Sequence, residues 1–257
     1  MKLNNFSYKK ELNLATKAIL EATKKITFKG IEHLKVKRDK TIATNVDENV
    51  EKYIINKILT MFPNDNFVSE EENANNQLKN RSWIIDPIDG TNTFVKGYPN
   101  WGTQLAFFVD NDIKFSIIYM PKYNEMYVAV KNNGVWVNGK KVNKPASNAL
   151  NMCCVEWVGK LCDKLELKTF ADLFMHFNGK VMFNQYIWGA CVDFTNLVSG
   201  KCDTLISSVQ TAWDFMPGEF MLKEQGATII EFNNIVKIYT FSKNYEKEVK
   251  KLIKGNK

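Results

Sequence analysis

The sequence predicts a mixed α+β and α/β protein built in two halves. Three patterns predict it: two helix-period apolar stripes near the start, a central run of short strands, and a later region where strand-like and helical runs alternate. The polar stretch Lys140 to Asn148 divides an α+β half, residues 1–145, from an α/β half, residues 146–257, the two forming one compact unit. A chain of 257 residues, 45% of them hydrophobic and 12% aromatic, has ample material for a folded core.

From Leu12 onward, Ala15, Ile19, Ala22 and Ile26 recur at three-and-four spacing, which predicts a helix with one buried stripe and a stop at Gly30. Val46, Val50, Ile54, Ile58 and Met61 repeat that period and end before Pro63, predicting a second helix. Asp47 falls in its first turn, where a carboxylate complements the positive end of the helix dipole. Between Thr103 and Val137 the apolar runs Leu105 to Val109, Ile113 to Met120, Met126 to Val130 and Val135 to Val137 are separated by Asn- and Asp-rich turns, the pattern of an antiparallel meander. The second half predicts strands at Cys154 to Val158, Val181 to Phe183, Asp203 to Ile206, Thr228 to Ile230 and Val236 to Phe241. Helices are predicted from Lys160 to about Met175, from Ala190 to Val198, from Trp213 to Gly226, and from Lys243 onward.

A formal charge of +7 favours small anions mildly, yet the lysines are scattered and no basic stripe interleaved with aromatics marks a nucleic-acid surface. The five cysteines, Cys153, Cys154, Cys162, Cys191 and Cys202, are odd in number and form no CxxC pair, which argues against a disulfide framework or a zinc knuckle and for a reducing cytoplasm. The start of the chain lacks an apolar signal region and no apolar run is long enough to span a bilayer, so no membrane association is expected.

The most informative run is Trp83-Ile84-Ile85-Asp86-Pro87-Ile88-Asp89-Gly90-Thr91. An apolar strand fixes the backbone, Pro87 bends it, and Asp86 and Asp89 can then converge on one hard cation while Gly90 lets the following amides approach an anion. Glu70-Glu71-Glu72 after Phe67-Val68, and Asp214 after Trp213, are the other acidic features. Acids in loops are usually solvated, and an Asp at a helix start is usually a cap. Asp86 and Asp214, however, adjoin apolar Trp-containing segments, where an uncompensated carboxylate is costly and a cation is the natural compensation. An all-carboxylate set points to Mg²⁺, with Mn²⁺ as a substitute. His33 and His176 stand apart from these motifs, which weighs against a histidine-based metal site, a phosphohistidine or a Ser-His-Asp triad.

Those residues carry a resemblance. The run from Trp83 to Phe94 is similar to the D-P-I/L-D-G-T signature of the inositol monophosphatase family, and Trp213-Asp214-Phe215-Met216-Pro217-Gly218 resembles its second signature, W-D-x-x-x-G. Phe67-Val68-Ser69-Glu70-Glu71 is similar to the family's G-E-E segment, and order and separation agree over nearly the whole chain. The resemblance implies a layered αβαβα sandwich of the sugar-phosphatase type and a Mg²⁺-dependent, lithium-sensitive phosphomonoesterase, commonly a homodimer. It further implies metal ligation by Glu70, Asp86, the Ile88 carbonyl, Asp89 and Asp214, with Asp47 and Thr91 orienting or activating the attacking water. The amides of Gly90 and Thr91 would hold phosphate, and Gly189-Ala190-Cys191 resembles the substrate-contacting turn. Helix starts near Ala190 and Asp214 would add positive potential. Among the aromatics, Trp101, Tyr119, Tyr127 and Trp136 could feed a dimer interface, although simple sheet packing is the commoner use of such residues.

The chain departs from the family pattern in three places. Met216 and Pro217 stand where small residues are usual, and the proline is tolerated if it lies in a first helical turn. Cys191 replaces a small residue, more simply a buried hydrophobe than a reactive thiol. Ser207, seven positions before Asp214, stands where inositol-cleaving members carry an acid, so the inositol label transfers weakly. Two alternatives stand beside a small phosphorylated metabolite as substrate: a nucleotide substrate, adenosine 3',5'-bisphosphate or a short oligonucleotide, and a catalytically silent metal- or phosphate-binding protein.

Overall fold

A computed structural model describes residues 6–24, 26, 31–36, 42–159, 161, 163–187, 189–209 and 211–255. The predicted helix stop at Gly30, the predicted helix start at Lys160, and Cys162 lie outside the described residues. Both early stripes form helices, α1 (Lys9–Thr23) and α2 (Asn45–Leu59), whose residues Leu12, Ile19, Ile54 and Ile58 bury into one cluster. A hairpin of β1 (Leu34–Val36) and β2 (Ile42–Thr44) leads into α2, and Thr44 caps that helix by accepting from the Val46 amide at 3.1 Å. The helix ends before Met61, which is 52% exposed although its spacing put it on the stripe.

The meander is part of a seven-stranded sheet: β3 (Asn66–Ser69), β4 (Arg81–Asp89), β5 (Gly102–Val109), β6 (Asp112–Met120), β7 (Glu125–Val130), β8 (Gly134–Val137) and β9 (Lys140–Lys141), in sequence order. Only β3 and β4 are parallel. Asp110 and Asn111 join β5 to β6 with φ of 52° and 58°, the left-handed pair of a tight hairpin that short polar side chains tolerate. Between β4 and β5 lies the short helix α3 (Thr91–Val95).

A second, five-stranded sheet is made of β10 (Cys154–Val158), β11 (Phe183–Tyr186), β12 (Thr204–Ser207), β13 (Thr228–Phe232) and β14 (Val236–Thr240), in the order β11-β10-β12-β14-β13. β10 runs parallel to β11 and β12, while β14 is antiparallel to both its neighbours. The strand expected at Val181 to Phe183 starts only at Phe183, because Lys180 and Val181 still bond back to the Phe177 carbonyl that ends the preceding helix. The helices are α4 (Lys164–Phe177), α5 (Ala190–Ser199), α6 (Ala212–Gln225) and α7 (Lys243–Gly255).

Packing stacks these elements as the expected αβαβα sandwich. One core joins α1 and α2 to the seven-stranded sheet, a second joins α5 and α6 to the facing surfaces of both sheets, and a third joins α4 and α7 to the outer face of the five-stranded sheet. Both faces of the larger sheet are thereby covered, so Trp101, Tyr119 and Tyr127 are buried at 2%, 9% and 1% exposure and offer nothing to a dimer interface; Trp136 is half-buried. Because α6 begins at Ala212, Pro217 is its sixth residue and lies in the second turn, not the first. The helix continues regardless, and the Pro217 carbonyl accepts from the Ser116 hydroxyl at 2.9 Å. Gly218 is required by close helix packing: a Cβ there would lie 2.1 Å from the Phe194 ring.

Candidate active site

Three elements converge at the C-terminal end of β4. The buried β3–β4 pair projects the segment after Ser69 and the end of β4 in the same direction, because the two strands are parallel. Asp86 sits where β4 departs from regular pairing, with a register shift against β5 between Asp86 and Asp89 around Pro87. The first turn of α6 supplies Asp214, its third residue; Thr211, not Asp214, occupies the cap position and donates its hydroxyl to an Asp214 carboxylate oxygen. The carboxylate oxygens of Glu70, Asp86 and Asp214 lie within 4.8 Å of one another.

The electrostatics are adverse without a cation. Asp86 is 1% exposed, and its Oδ1 is buried with no hydrogen-bond donor among the described residues. Burial first, then the charges of Glu70, Asp89 and Asp214, hold its pKa well above the usual carboxylate range. Asp89 is pushed up to about 7, by burial and by Asp214, against the lowering effect of amide donors at the start of α5. Acids crowded in a dry site with a donorless oxygen fit a hard divalent ion, which supplies the positive charge that the acids acting on Asp86 do not.

Asp47 lies 44 positions from Thr91 in sequence and touches it in space: the Thr91 hydroxyl reaches Asp47 Oδ1 at 3.0 Å and the Ile88 carbonyl at 2.8 Å. The other Asp47 oxygen accepts from the Thr44 amide at 2.9 Å and its hydroxyl at 2.5 Å, closing a capping box on α2. Burial raises the Asp47 pKa, and these bonds oppose the rise. Gly90 takes φ of 86°, and a Cβ there would meet the Asn100 carbonyl at 2.7 Å, so only glycine fits the turn into α3.

The turn at Gly189, Ala190 and Cys191 reaches Asp89, which the structure leaves outside the close group of Glu70, Asp86 and Asp214. The Cys191 amide donates to Asp89 Oδ2, and its thiol lies 3.7 Å from the Asp89 carbonyl. Cys191 is fully buried, and burial with the Asp89 charge pushes its thiol pKa well up, which makes it an inert hydrophobe. In this arrangement the Cys191 amide serves Asp89, while Gly189 and Ala190 form the cap and first residue of α5.

The acidic run after β3 divides by role. Glu70 joins the cluster, whereas the amides of Glu71 and Glu72 donate to Glu51 at 2.9 Å each, and Ser69 Oγ donates to the same carboxylate at 2.7 Å. Glu51, on α2 and fully buried, anchors the loop that carries Glu70, and sequence reading missed it. The available signal was a charged residue beside Val50 on the buried stripe. Gln104 was missed too: its Nε2 donates to the Asp214 carbonyl at 3.1 Å, and nothing in sequence marks a polar residue at the head of the apolar run of β5. Ser207 is buried at the end of β12, its Oγ accepting from the Val209 amide at 3.2 Å. Among the described residues no helix is long and apolar enough to cross a membrane.

The model of the inositol monophosphatase family matches residues 5–248. A Thermotoga maritima protein named fructose-1,6-bisphosphatase/inositol-1-monophosphatase is 28% identical over 212 residues, covering 80% of this chain and 77% of its own length. A histidinol-phosphatase of Chlorobaculum parvum is 29% identical over 198 residues, covering 76% of this chain and 74% of its own. The solved structure of a Thermotoga maritima IMPase superposes with a TM-score of 0.83 at 22% identity, over 96% of this chain and 97% of that one, a likeness of fold.

Proposed function

The chain belongs to the inositol monophosphatase family, and from that premise we propose that it hydrolyses a small phosphate monoester with the help of Mg²⁺. Several curated relatives carry phosphatase names that differ in substrate, while others, such as an Escherichia coli protein 25% identical over 195 residues, are named Nus factor SuhB, so membership supports the reaction class and leaves the leaving group open. The observation that carries the reading is the donorless, buried Asp86 oxygen inside a cluster of acids.

In this reading Glu70, Asp86, Asp89, Asp214 and the Ile88 carbonyl hold the metal, with Mn²⁺ as a substitute and Li⁺ as an inhibitor. When bound, the ion lowers the pKa of a coordinated water and neutralises charge on the phosphoryl group and leaving oxygen. Asp47 fixes the Thr91 hydroxyl, and the two orient the attacking water by hydrogen bonding. The amides of Gly90 and Thr91, at the start of α3, take phosphate oxygens, and Gly189 and Ala190 border the substrate. The bond from Cys191 to Asp89 makes Cys191 a holder of a ligand, a narrower role than contact with substrate. No covalent protein intermediate is required, since positioning and electrostatics supply most of phosphoryl transfer. The four described cysteines, all buried and unpaired, support a reducing, cytoplasmic setting.

Ser207 offers a hydroxyl where a carboxylate would accept from a sugar, which argues against inositol monophosphate as the preferred substrate. The test is Mg²⁺-dependent phosphate release from inositol monophosphate, fructose 1,6-bisphosphate, adenosine 3',5'-bisphosphate, NADP and histidinol phosphate, with Asp89→Asn as control. One dominant substrate, lost in the control, is expected. Release that persists without divalent metal, or in the control, would overturn the mechanism.

A further inference from the structure

Behind the Asp89 end of the site lies a second pair of buried acids that the proposed reaction does not use. Asp193, in the first turn of α5, and Glu156, on β10, are both fully buried. Among the described residues both Asp193 carboxylate oxygens and Glu156 Oε2 have no donor, and Glu156 Oε1 accepts from Asn196, one turn along α5 from Asp193, which sets the two acids face to face. Two ionised carboxylates in contact in a dry core would repel strongly. One shared proton turns the contact into a short, charge-assisted bond.

The surroundings say which acid keeps the proton. Glu156 Oε1 accepts from Gln185 Nε2 at 2.5 Å and Asn196 Nδ2 at 3.0 Å. Among the described residues Asp193 has no side-chain donor and faces the charges of Glu156 and Asp89, with the Gly189 amide alone opposing them. The other titratable groups packed here include Cys191 on α5, Cys154 on β10, Cys202, and Asp203 just before β12, which accepts from the Cys154 amide; burial pushes all three thiols up, so none adds charge. We propose that Asp193 is a neutral acid that donates to the Glu156 carboxylate, and that this bond positions the start of α5 so that its amides hold Asp89. Burial, then Glu156 and Asp89, raise the Asp193 pKa well above the usual range, in keeping with that assignment. The route is short: Asp193 is two residues from Cys191, whose amide bonds Asp89, and the Asp193 amide itself bonds the Gly189 carbonyl at 3.2 Å.

The proposal deepens the reading of Asp89 as a metal ligand, and its first test is independent of that reading. Infrared difference spectra of wild type minus Asp193→Asn near neutral pH should show the carbonyl stretch of a protonated carboxylic acid in wild type, shifted in D₂O. A carboxylate band in its place overturns the proposal. The second test is Mn²⁺ affinity of both proteins from neutral to alkaline pH. The asparagine variant keeps a donor toward Glu156 but no titratable proton, so wild type should lose affinity at alkaline pH relative to the variant by about tenfold or more, the usual scale for a group supporting a metal ligand. Parallel curves overturn the positioning role. Absence of Mn²⁺ binding in both proteins overturns the metal reading of Asp89 instead, and the proton-sharing pair then stands or falls on the difference spectrum.

Discussion

The two ends of β4 handle buried acid in opposite ways. At its start, Arg81 pairs with Asp65 at 2.6 Å and Glu11 at 3.0 Å, Trp83 Nε1 donates to Asp65 at 2.7 Å, and the guanidinium lies over the rings of Phe62 and Phe107. The acids there are compensated by the chain's own cation. At its end, Asp86 has a donorless oxygen, and the charges acting on it most strongly are those of other acids. A compensated cluster stabilises the fold; an uncompensated one costs stability and is retained for what it binds.

The comparison is broken most severely at the functional end. Asp86→Asn should lower turnover by about three orders of magnitude, roughly 4 kcal/mol of transition-state stabilisation, while the metal-free protein melts no lower than wild type because a repelling charge is gone. Turnover within a few-fold of wild type would show that the cluster is not the catalytic centre. At the other end, Arg81→Ala should leave Glu11 and Asp65 without a cation, Asp65 keeping the Trp83 indole donor, and cost about 2–3 kcal/mol, discounted because the Arg81 side chain is 31% exposed. Urea unfolding measures the loss, and kcat of the folded fraction should be unchanged.

pH separates the ends more gently. Asp89 binds its proton more tightly in the folded chain than unfolded, since its pKa is raised to about 7. The stability linked to that proton is full below the unfolded value of about 4 and is lost as pH rises through about 7. The metal-free melting temperature should therefore fall between pH 6 and pH 8 by roughly several degrees, and added Mg²⁺ should abolish the fall. A metal-free profile that rises with pH over this range would contradict the sign. The smallest effect belongs to a supporting group: Glu51→Gln keeps the volume of the loop anchor and weakens its charge-assisted bonds, which should reduce Mg²⁺ affinity about tenfold with kcat at saturating metal nearly unchanged. An unaltered affinity would mean that Ser69 and the loop amides hold Glu70 without Glu51.

What the sequence determined by itself is local and periodic. The stripes of α1 and α2 and the meander followed from residue spacing, and Asp86, Asp89, Glu70 and Asp214 stood out because acids beside buried apolar segments need compensation. Resemblance to a family then gave those acids an order and the sandwich its layers. Only the tertiary structure decided matters of long-range contact. Pro217 lies in a second turn because α6 starts at Ala212, and Tyr127 is core because a helix layer covers the second face of its sheet. Glu51, Gln104 and the Asp193–Glu156 pair acquire meaning from partners 18 or more residues away, and no window of sequence contains both members of such a pair. The physical reason is that periodicity and capping are set within a few residues, whereas the cost of burying a charge depends on which distant groups the fold brings to it.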